Sequence, residues 1–205
     1  MNYQKELDKI IEKLNPAEAP KKLLIHSCCA PCSSYVLEYL SKYFEITVFY
    51  YNPNIYPEEE YNRRVEEQRN LILMIQGNYP ITFLQGEYEP KDYYAYVKGY
   101  ENAPEGGERC FLCYRMRLRE AALLAKEGGF DYYTTTLTIS PHKNADKLNE
   151  IGNELALEYG VSYLPSDFKK KNGYRRSIEL SREYNLYRQD YCGCVFSRKA
   201  REHKD

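Results

Sequence analysis

Short apolar segments alternate with amphipathic segments along most of the chain. Residues 22–27 (Lys-Leu-Leu-Ile-His-Ser) form a compact apolar run, and residues 45–51 are rich in β-branched and aromatic side chains. Both patterns are typical of strands, and the first is short and apolar enough to be a buried one. The same reasoning predicts further strands at 81–84, 130–135 and 161–164.

The segments between these runs carry helical periodicity. Leu7, Ile10, Ile11 and Leu14 are separated by charged residues, which indicates an amphipathic helix over residues 1–14. Further helices are predicted at 33–42, from 57 to about 76, at 88–100, 113–126, 144–159 and 174–184, with a short basic helix after residue 194.

Strands that alternate with helices of this length predict an α/β fold, a three-layer sandwich around a mainly parallel sheet. Residues 1–205 show no linker, repeat or low-complexity segment, so we expect a single domain with a basic C-terminal helical segment. In such folds, function gathers in loops at the carboxyl ends of the strands. The loops after the first, second and fourth predicted strands are therefore expected to converge on one crevice.

Composition limits the class of protein. A hydrophobic content of 43% and a charged content of 29% fit a soluble globular protein, and a net charge of −1 gives no overall attraction for a polyanion. The sequence contains 23 Tyr and no Trp. We expect no signal peptide and no membrane span, because no window approaches about 20 apolar residues. A cytoplasmic location is the resulting expectation, and thiols stay reduced there.

The seven cysteines form three tight groups. They are Cys28, Cys29 and Cys32; Cys110 and Cys113; and Cys192 and Cys194. An odd number argues against complete disulfide pairing, and cysteines that merely fill a core do not cluster in this way. The grouping favours metal and redox chemistry over structural disulfides.

The spacings allow three kinds of chemistry. Cys110 and Cys113 form a Cys-x-x-Cys pair at or just before a predicted helix start, where the helix N-terminus would favour the thiolate. Structural zinc and iron–sulfur clusters both use four thiolates, and seven thiols leave three for a second metal or a redox pair. Spacing alone favours a redox iron–sulfur site but leaves structural zinc and a thiol–disulfide enzyme open.

Several unusual strings resemble the QueH-type epoxyqueuosine reductases along nearly the whole chain. They are His26-Ser27-Cys28-Cys29-Ala30-Pro31-Cys32; Tyr51-Asn52-Pro53-Asn54-Ile55 with Pro57, Glu60-Tyr61 and Arg63; Arg109-Cys110 with Cys113 and Arg117-Leu118; Thr134-Thr135-Thr136-Leu137 with Ser140-Pro141 and Lys143-Asn144; and Tyr187 to Cys194. The order of all five strings makes the resemblance specific.

The resemblance implies a function and a fold. It implies the last step of queuosine synthesis, in which the epoxide of epoxyqueuosine at the wobble position of tRNA is reduced to an alkene without cobalamin. It also implies an ATP-pyrophosphatase-like, Rossmann-like topology in which a cysteine loop replaces the Gly-rich phosphate loop, so we expect no use of ATP. No flavin or dinucleotide motif is present, which leaves metals to deliver the electrons.

The resemblance also implies roles for the cysteines. Cys28, Cys29, Cys110 and Cys113 would bind a [4Fe–4S] cluster that receives electrons from an external ferredoxin- or flavodoxin-type donor. Cys32, Cys192 and Cys194 would be catalytic, either around a second mononuclear iron that polarises the epoxide C–O bond or through a redox-active Cys192–Cys194 disulfide.

A tRNA surface is expected from basic and aromatic residues. The candidates are Tyr51, Asn52, Asn54, Lys170, Lys171, Arg175 and Arg176. Cations neutralise phosphates, and aromatic rings stack on unpaired bases. Among the histidines, His26 is expected in the core or beside the ligands, His142 is a possible proton donor, and His203 lies close to the C-terminus.

Two alternatives to the reductase stay open. One is an iron–sulfur-dependent, ATP-pyrophosphatase-like tRNA-thiolation enzyme, and the other is a zinc-stabilised RNA-binding protein. Bound ATP would favour the first, and a colourless protein that contains zinc would favour the second.

Overall fold

The computed structural model describes residues 1–202, so His203 lies outside the described residues. The helices are α1 (Tyr3–Glu12), α2 (Ala30–Leu40), α3 (Glu58–Met74), α4 (Pro90–Tyr96), α5 (Glu108–Glu127), α6 (Ala145–Tyr159), α7 (Gly173–Glu183) and α8 (Val195–Glu202). The strands are β1 (Lys21–His26), β2 (Phe44–Tyr50), β3 (Ile81–Gln85), β4 (Tyr132–Thr135) and β5 (Ser162–Tyr163).

Within residues 1–202, all five strands pair in parallel, in the order β3-β2-β1-β4-β5. The predicted α/β class is confirmed, and the sheet is wholly rather than mainly parallel. Leu23 in β1 pairs with Ile46 on one side and Tyr132 on the other. Because β2 and β4 flank β1 on opposite sides, the chain changes direction at β1, and the crevice beyond the carboxyl ends of β1 and β4 is the expected ligand site.

Helices cover both faces of the sheet. Leu24 and Tyr133 pack on one face with the apolar sides of α5 and α6, whereas Leu23 and Ile25 pack on the other with α1, α2 and Phe168. Leu23, Leu24 and Ile25 are all fully buried, which is the pattern expected of a central parallel strand.

The largest difference from the predicted elements is the start of α5. This helix begins at Glu108, five residues earlier than predicted, and Gly107 is its extended N-cap. The guanidinium of Arg109 closes the preceding loop by donating to the carbonyls of Tyr100, Glu101 and Ala103. Cys110 and Cys113 consequently lie inside the first two turns of α5.

The loop after β4 also contains local structure. Thr136–Ile139 forms a 3-10 turn, and the hydroxyl of Thr135 caps it by accepting from the backbone N–H of Leu137. This turn fixes the wall of the crevice opposite the β1 loop. No helix in the described part of the chain has both the length and the apolar character to cross a membrane.

Candidate functional site

The loop between β1 and α2 brings three thiols together. Cys29 is the N-cap of α2, and Pro31 lies in the first turn, where a missing backbone N–H costs nothing. The sulfurs of Cys28, Cys29 and Cys32 all lie within 4.8 Å of one another, and those of Cys28 and Cys29 are 3.8 Å apart. Three converging sulfurs in a largely buried loop are suited to hold a thiophilic metal.

One of these three sulfurs is favoured as a thiolate. The pKa of Cys28 lies well below its usual range because of its hydrogen-bond contacts with the thiols of Cys29 and Cys32. The same interaction raises the pKa of Cys29 to about 12 and raises that of Cys32 as well. Among the three thiols of the loop, Cys28 is therefore the one whose thiolate form is most favoured.

The two thiols of α5 do not gain from the helix N-terminus as expected. Burial raises the pKa of Cys113 to about 12 and also raises the pKa of Cys110, although the backbone N–H of Gly106 donates to the Cys110 sulfur at 3.3 Å. The physical reason is burial, which outweighs the helix dipole at both positions.

The C-terminal cysteines are tied to the loop after β2. The carbonyl of Gly193 accepts from the backbone N–H of Tyr56 at 2.8 Å, and the carbonyl of Cys192 accepts from Arg64 at 3.3 Å. Gly193 has φ +121°, a conformation that glycine adopts readily. These contacts carry Cys192 and Cys194 across the molecule to the crevice.

Cys192 and Cys194 face different neighbours. The ammonium of Lys143 donates to the Cys192 sulfur at 3.2 Å, while Cys194 packs with Cys113 and the ring of Tyr93. Cys192 also lies near enough to Cys110 to raise its pKa by charge repulsion. All seven cysteines are free thiols.

The structure thus brings all three predicted cysteine groups to one region. Cys32 lies beside Cys28 and Cys29, whereas Cys192 and Cys194 lie beside the α5 pair. Cys110 and Cys32 pack against the same apolar cluster that contains Cys28 and Cys29. Sequence spacing indicated convergence, but it gave no information on which groups are neighbours.

Two positively charged side chains beside the thiols indicate whether the site suits a metal–thiolate group. Arg117 is 2% exposed, and Lys143 contacts Cys192. Among residues 1–202, no carboxylate lies within 4 Å of either cation. A cation removed from water needs a nearby anion, and the ionisable groups that face these two cations within residues 1–202 include the sulfurs of Cys28, Cys113 and Cys192. The donor set and its positive surroundings fit a metal held by thiolate sulfur.

A cavity of about 650 Å³ opens beside Cys28, Cys32 and Cys192. The residues that line its outer part are mostly polar or basic: Glu105, His142, Lys143, Tyr174, Arg188, Asp190, Tyr191 and Arg201. A volume of this size is typical of a site for a small organic ligand. Sequence reasoning counted Arg201 with Arg198 and Lys199 as basic charge near the C-terminus but assigned no role to Lys143 or Arg188; the position of Lys143 after β4 was the available signal.

The three residues after β2 that were predicted to contact tRNA differ in how far they are buried. Tyr51 is half-buried and stacks on Phe49, with ring centroids 5.9 Å apart. Asn52 and Asn54 are buried, and Asn52 donates to the Ser27 carbonyl at 2.8 Å. In this conformation the two amides are turned into the protein and shape the loop, so their contact with tRNA stays a prediction.

The basic loop before α7 is only partly free to bind phosphate. Lys170 is exposed, and Arg175 is exposed beside Glu179. Lys171 pairs with Asp8, and Arg176 makes a bidentate pair with Glu38. Lys170 and Arg175 are therefore the better phosphate candidates, and Tyr174 connects this surface to the cavity.

His26 is held in the core as a neutral ring. Its Nε2–H donates to the carbonyl of Tyr51 at 3.1 Å, and its Nδ1 lies 3.0 Å from the hydroxyl of Thr135. Burial, followed by the charge of Arg117, lowers its pKa to about 3. Both nitrogens are engaged, which agrees with the expectation of a structural role, whereas His142 lies at the exposed rim of the cavity.

Comparison with known proteins gives a consistent result. The family model described as "Epoxyqueuosine reductase QueH" matches residues 23–200. A protein of that name from Streptococcus pyogenes serotype M1 is 44% identical over 97% of this chain and 79% of its own length. Another from Staphylococcus epidermidis is 45% identical over 96% of this chain and 84% of its own.

Among solved structures, a pantoate-beta-alanine ligase from Francisella tularensis aligns with 98% of this chain and 84% of its own. The TM-score is 0.41 and the identity 15%, a likeness too low to bear on the site.

Proposed function

The chain belongs to the QueH family of epoxyqueuosine reductases, and from this membership we infer that it is an oxidoreductase that converts epoxyqueuosine in tRNA to queuosine. The reaction consumes two electrons and two protons. Both C–O bonds of the epoxide break, an alkene forms between the two carbons, and the oxygen leaves as water.

One observation supports this function most strongly. Free thiols from three distant segments lie in one region where the sheet changes direction, and Cys28, Cys32 and Cys192 among them line a cavity. A reduction without flavin or dinucleotide needs another redox group, and thiolates at a ligand cavity provide for one.

We assign a [4Fe–4S] cluster to Cys28, Cys29, Cys110 and Cys113, as the family resemblance implies. When bound, such a cluster supplies electrons one at a time. The buried Arg117 and the half-buried Lys143 support an anionic group at this place. Cys32, Cys192 and Cys194 remain for a second iron or, in the case of Cys192 and Cys194, for a redox disulfide.

The protein's own residues bind and orient the substrate. The cavity accepts the modified base, and Tyr174 and Tyr191 in its wall offer rings for stacking. Arg188 at the rim, with Lys170 and Arg175 on the adjoining surface, neutralises phosphates of the anticodon loop, whereas Arg201 at the rim is paired with Asp190 at 3.0 Å. The exposed ring of His142, or the ammonium of Lys143, is placed to deliver a proton toward the cavity.

The reaction also needs a partner. We propose a ferredoxin- or flavodoxin-type one-electron donor, no requirement for cobalamin, and a cytoplasmic location where tRNA is modified. Charge on the cavity rim suits the polyanionic tRNA, although the net charge of the chain is −1.

The decisive test is mass spectrometry of tRNA nucleosides from a strain that lacks the gene. We expect epoxyqueuosine to accumulate and queuosine to return when the gene is restored. Queuosine at its normal level in the deletion strain, with no second reductase present, would refute the function.

The role of the last cysteines needs a second experiment. A Cys192→Ser, Cys194→Ser double variant is expected to lose turnover, because either role needs these sulfurs. Iron per chain separates the roles, since only the second-iron role predicts that iron falls toward four. Full turnover with more than four irons would exclude both roles.

A further inference from the structure

Arg117 occupies an unusual position in α5. Its side chain is almost fully buried, yet one guanidinium nitrogen, Nη2, has no hydrogen-bond partner. Unpartnered buried donors are uncommon in native proteins, and a charged one is costly. The position therefore calls for an explanation other than packing.

The other two guanidinium nitrogens connect separate cysteine groups. Nε donates to the carbonyl of Cys113 at 3.1 Å, and Nη1 donates to the side-chain oxygen of Asn52 at 3.3 Å. Asn52 in turn donates to the carbonyl of Ser27, which precedes Cys28. Arg117 thus links the α5 thiol pair to the β1 loop through one buried amide.

A second buried arginine provides an internal comparison. Arg64 is also 2% exposed and its Nη2 also has no partner, but Arg64 forms an ion pair with Glu60 at 2.7 Å. Arg117 has no such carboxylate among residues 1–202, and the groups that raise its pKa are the thiols of Cys113, Cys192 and Cys28, in that order, against the effect of burial. These three cysteines come from all three cysteine segments of the chain.

We propose that Arg117 is the fixed counter-charge of the metal–thiolate centre, a positioning residue that joins its two halves and favours its reduced state. The proposal rests on the proposed function, because it assumes that a metal–thiolate group is bound. A buried positive charge stabilises the more negative member of a redox couple more strongly than the other. Its removal should make the centre harder to reduce.

The test compares three variants that are reconstituted anaerobically beside the wild type. Arg117→Met removes the charge and the hydrogen bonds, and Arg117→Lys keeps the charge. Arg119→Met is the matched control, since Arg119 lies two residues along the same helix, is 42% exposed and pairs with Glu120. Iron and sulfide per chain, circular dichroism and the midpoint potential by optical or EPR titration are measured for each.

We expect Arg117→Met to lower the equilibrium constant for one-electron reduction at least tenfold, which is about 59 mV toward more negative potential. Arg117→Lys should lie between this variant and the wild type, and Arg119→Met should match the wild type. If Arg117→Met folds but loses iron while Arg117→Lys retains it, the positive charge is needed to bind the metal–thiolate centre. This result would also support the counter-charge role, although no potential could be measured for the Met variant.

Three outcomes overturn the proposal. One is a fully loaded Arg117→Met protein with the wild-type potential. Another is equal loss of iron in the Lys and Met variants, which would assign the role to guanidinium geometry alone. The third is a wild type that binds no iron, and this outcome would refute the proposed metal centre as well. If the wild type has normal iron content and turnover, an unexpected result for the Arg117 variants refutes this proposal and leaves the proposed function intact.

Discussion

Replacement of Gly193 by Ala should damage the site more than the fold. Gly193 lies between Cys192 and Cys194 with φ +121°, and a Cβ added there would meet Arg64 Nη1 at 3.0 Å and Ile55 Cγ1 at 3.1 Å. Neither neighbour can easily move, because Arg64 is held by Glu60 and by the Cys192 carbonyl, and Ile55 is buried.

The expected loss of folding stability in Gly193→Ala has two parts. The backbone conformation costs a non-glycine residue about 1–3 kcal/mol, and the close contacts add about 1–3 kcal/mol of overpacking. A total of about 4 kcal/mol corresponds to a melting temperature lower by roughly 8–16 °C for a chain of this size. A displacement of the two sulfurs by about 1 Å would lower turnover about a hundredfold.

The control is Gly99→Ala. Gly99 also has a positive φ, +89°, but a Cβ there would meet nothing within 4 Å, so this variant carries the backbone cost alone. Denaturation gives the free energy of unfolding for each variant, and single-turnover reduction of epoxyqueuosine-containing tRNA gives activity. Our reasoning fails if Gly193→Ala retains wild-type turnover, or if Gly99→Ala loses as much stability and activity.

Three further predictions concern metal, RNA and pH. Cys110→Ser or Cys113→Ser should remove the cluster, so iron and sulfide analysis that still finds four irons would refute the ligand assignment. Replacement of Lys170, Lys171, Arg175 and Arg176 by Ala should weaken tRNA binding and reduce its salt slope by roughly one unit for each lost phosphate contact; because Lys171 and Arg176 are paired internally, Lys170→Ala with Arg175→Ala should give most of the effect. His26 has a pKa of about 3 in the folded protein and 6.5 ordinarily, so the unfolded state binds more protons below pH 6.5 and stability falls with acid. Between pH 7.5 and pH 5 the loss should be about 2 kcal/mol in denaturant titrations, and His26→Gln should abolish this part of the slope; an identical slope in both proteins would exclude His26 as its source.

The pattern of apolar residues was sufficient to predict the order of the elements. The predicted strands at 22–27, 45–51, 81–84, 130–135 and 161–164 each correspond to a strand of the sheet, because strand runs and helical periodicity alternate without ambiguity. The start of α5 was missed, since the stabilising feature is tertiary: the Arg109 side chain closes the preceding loop, and no local pattern encodes that contact.

The candidate site could be predicted only in outline. Cysteine spacing and the carboxyl ends of the strands indicated where the thiols gather, but pKa values could not be foreseen, because burial outweighs the helix dipole at Cys113. Asn52 accepts a hydrogen bond from Arg117, which lies 65 residues away in the sequence, and Lys143 contacts Cys192, which lies 49 residues away. Such pairings follow from topology and not from composition.

The distribution of the seven cysteines along the chain has a consequence for how the protein matures. Cys28 leaves the ribosome about 165 residues before Cys194, an interval of roughly 8–33 s at ordinary synthesis rates. During this time the first thiols lack the C-terminal segment, whose Gly193 carbonyl later accepts from the backbone N–H of Tyr56. A metal site that uses Cys192 or Cys194 can therefore load only after these residues are made, whereas the four proposed cluster ligands are complete about 80 residues earlier, when Cys113 is made.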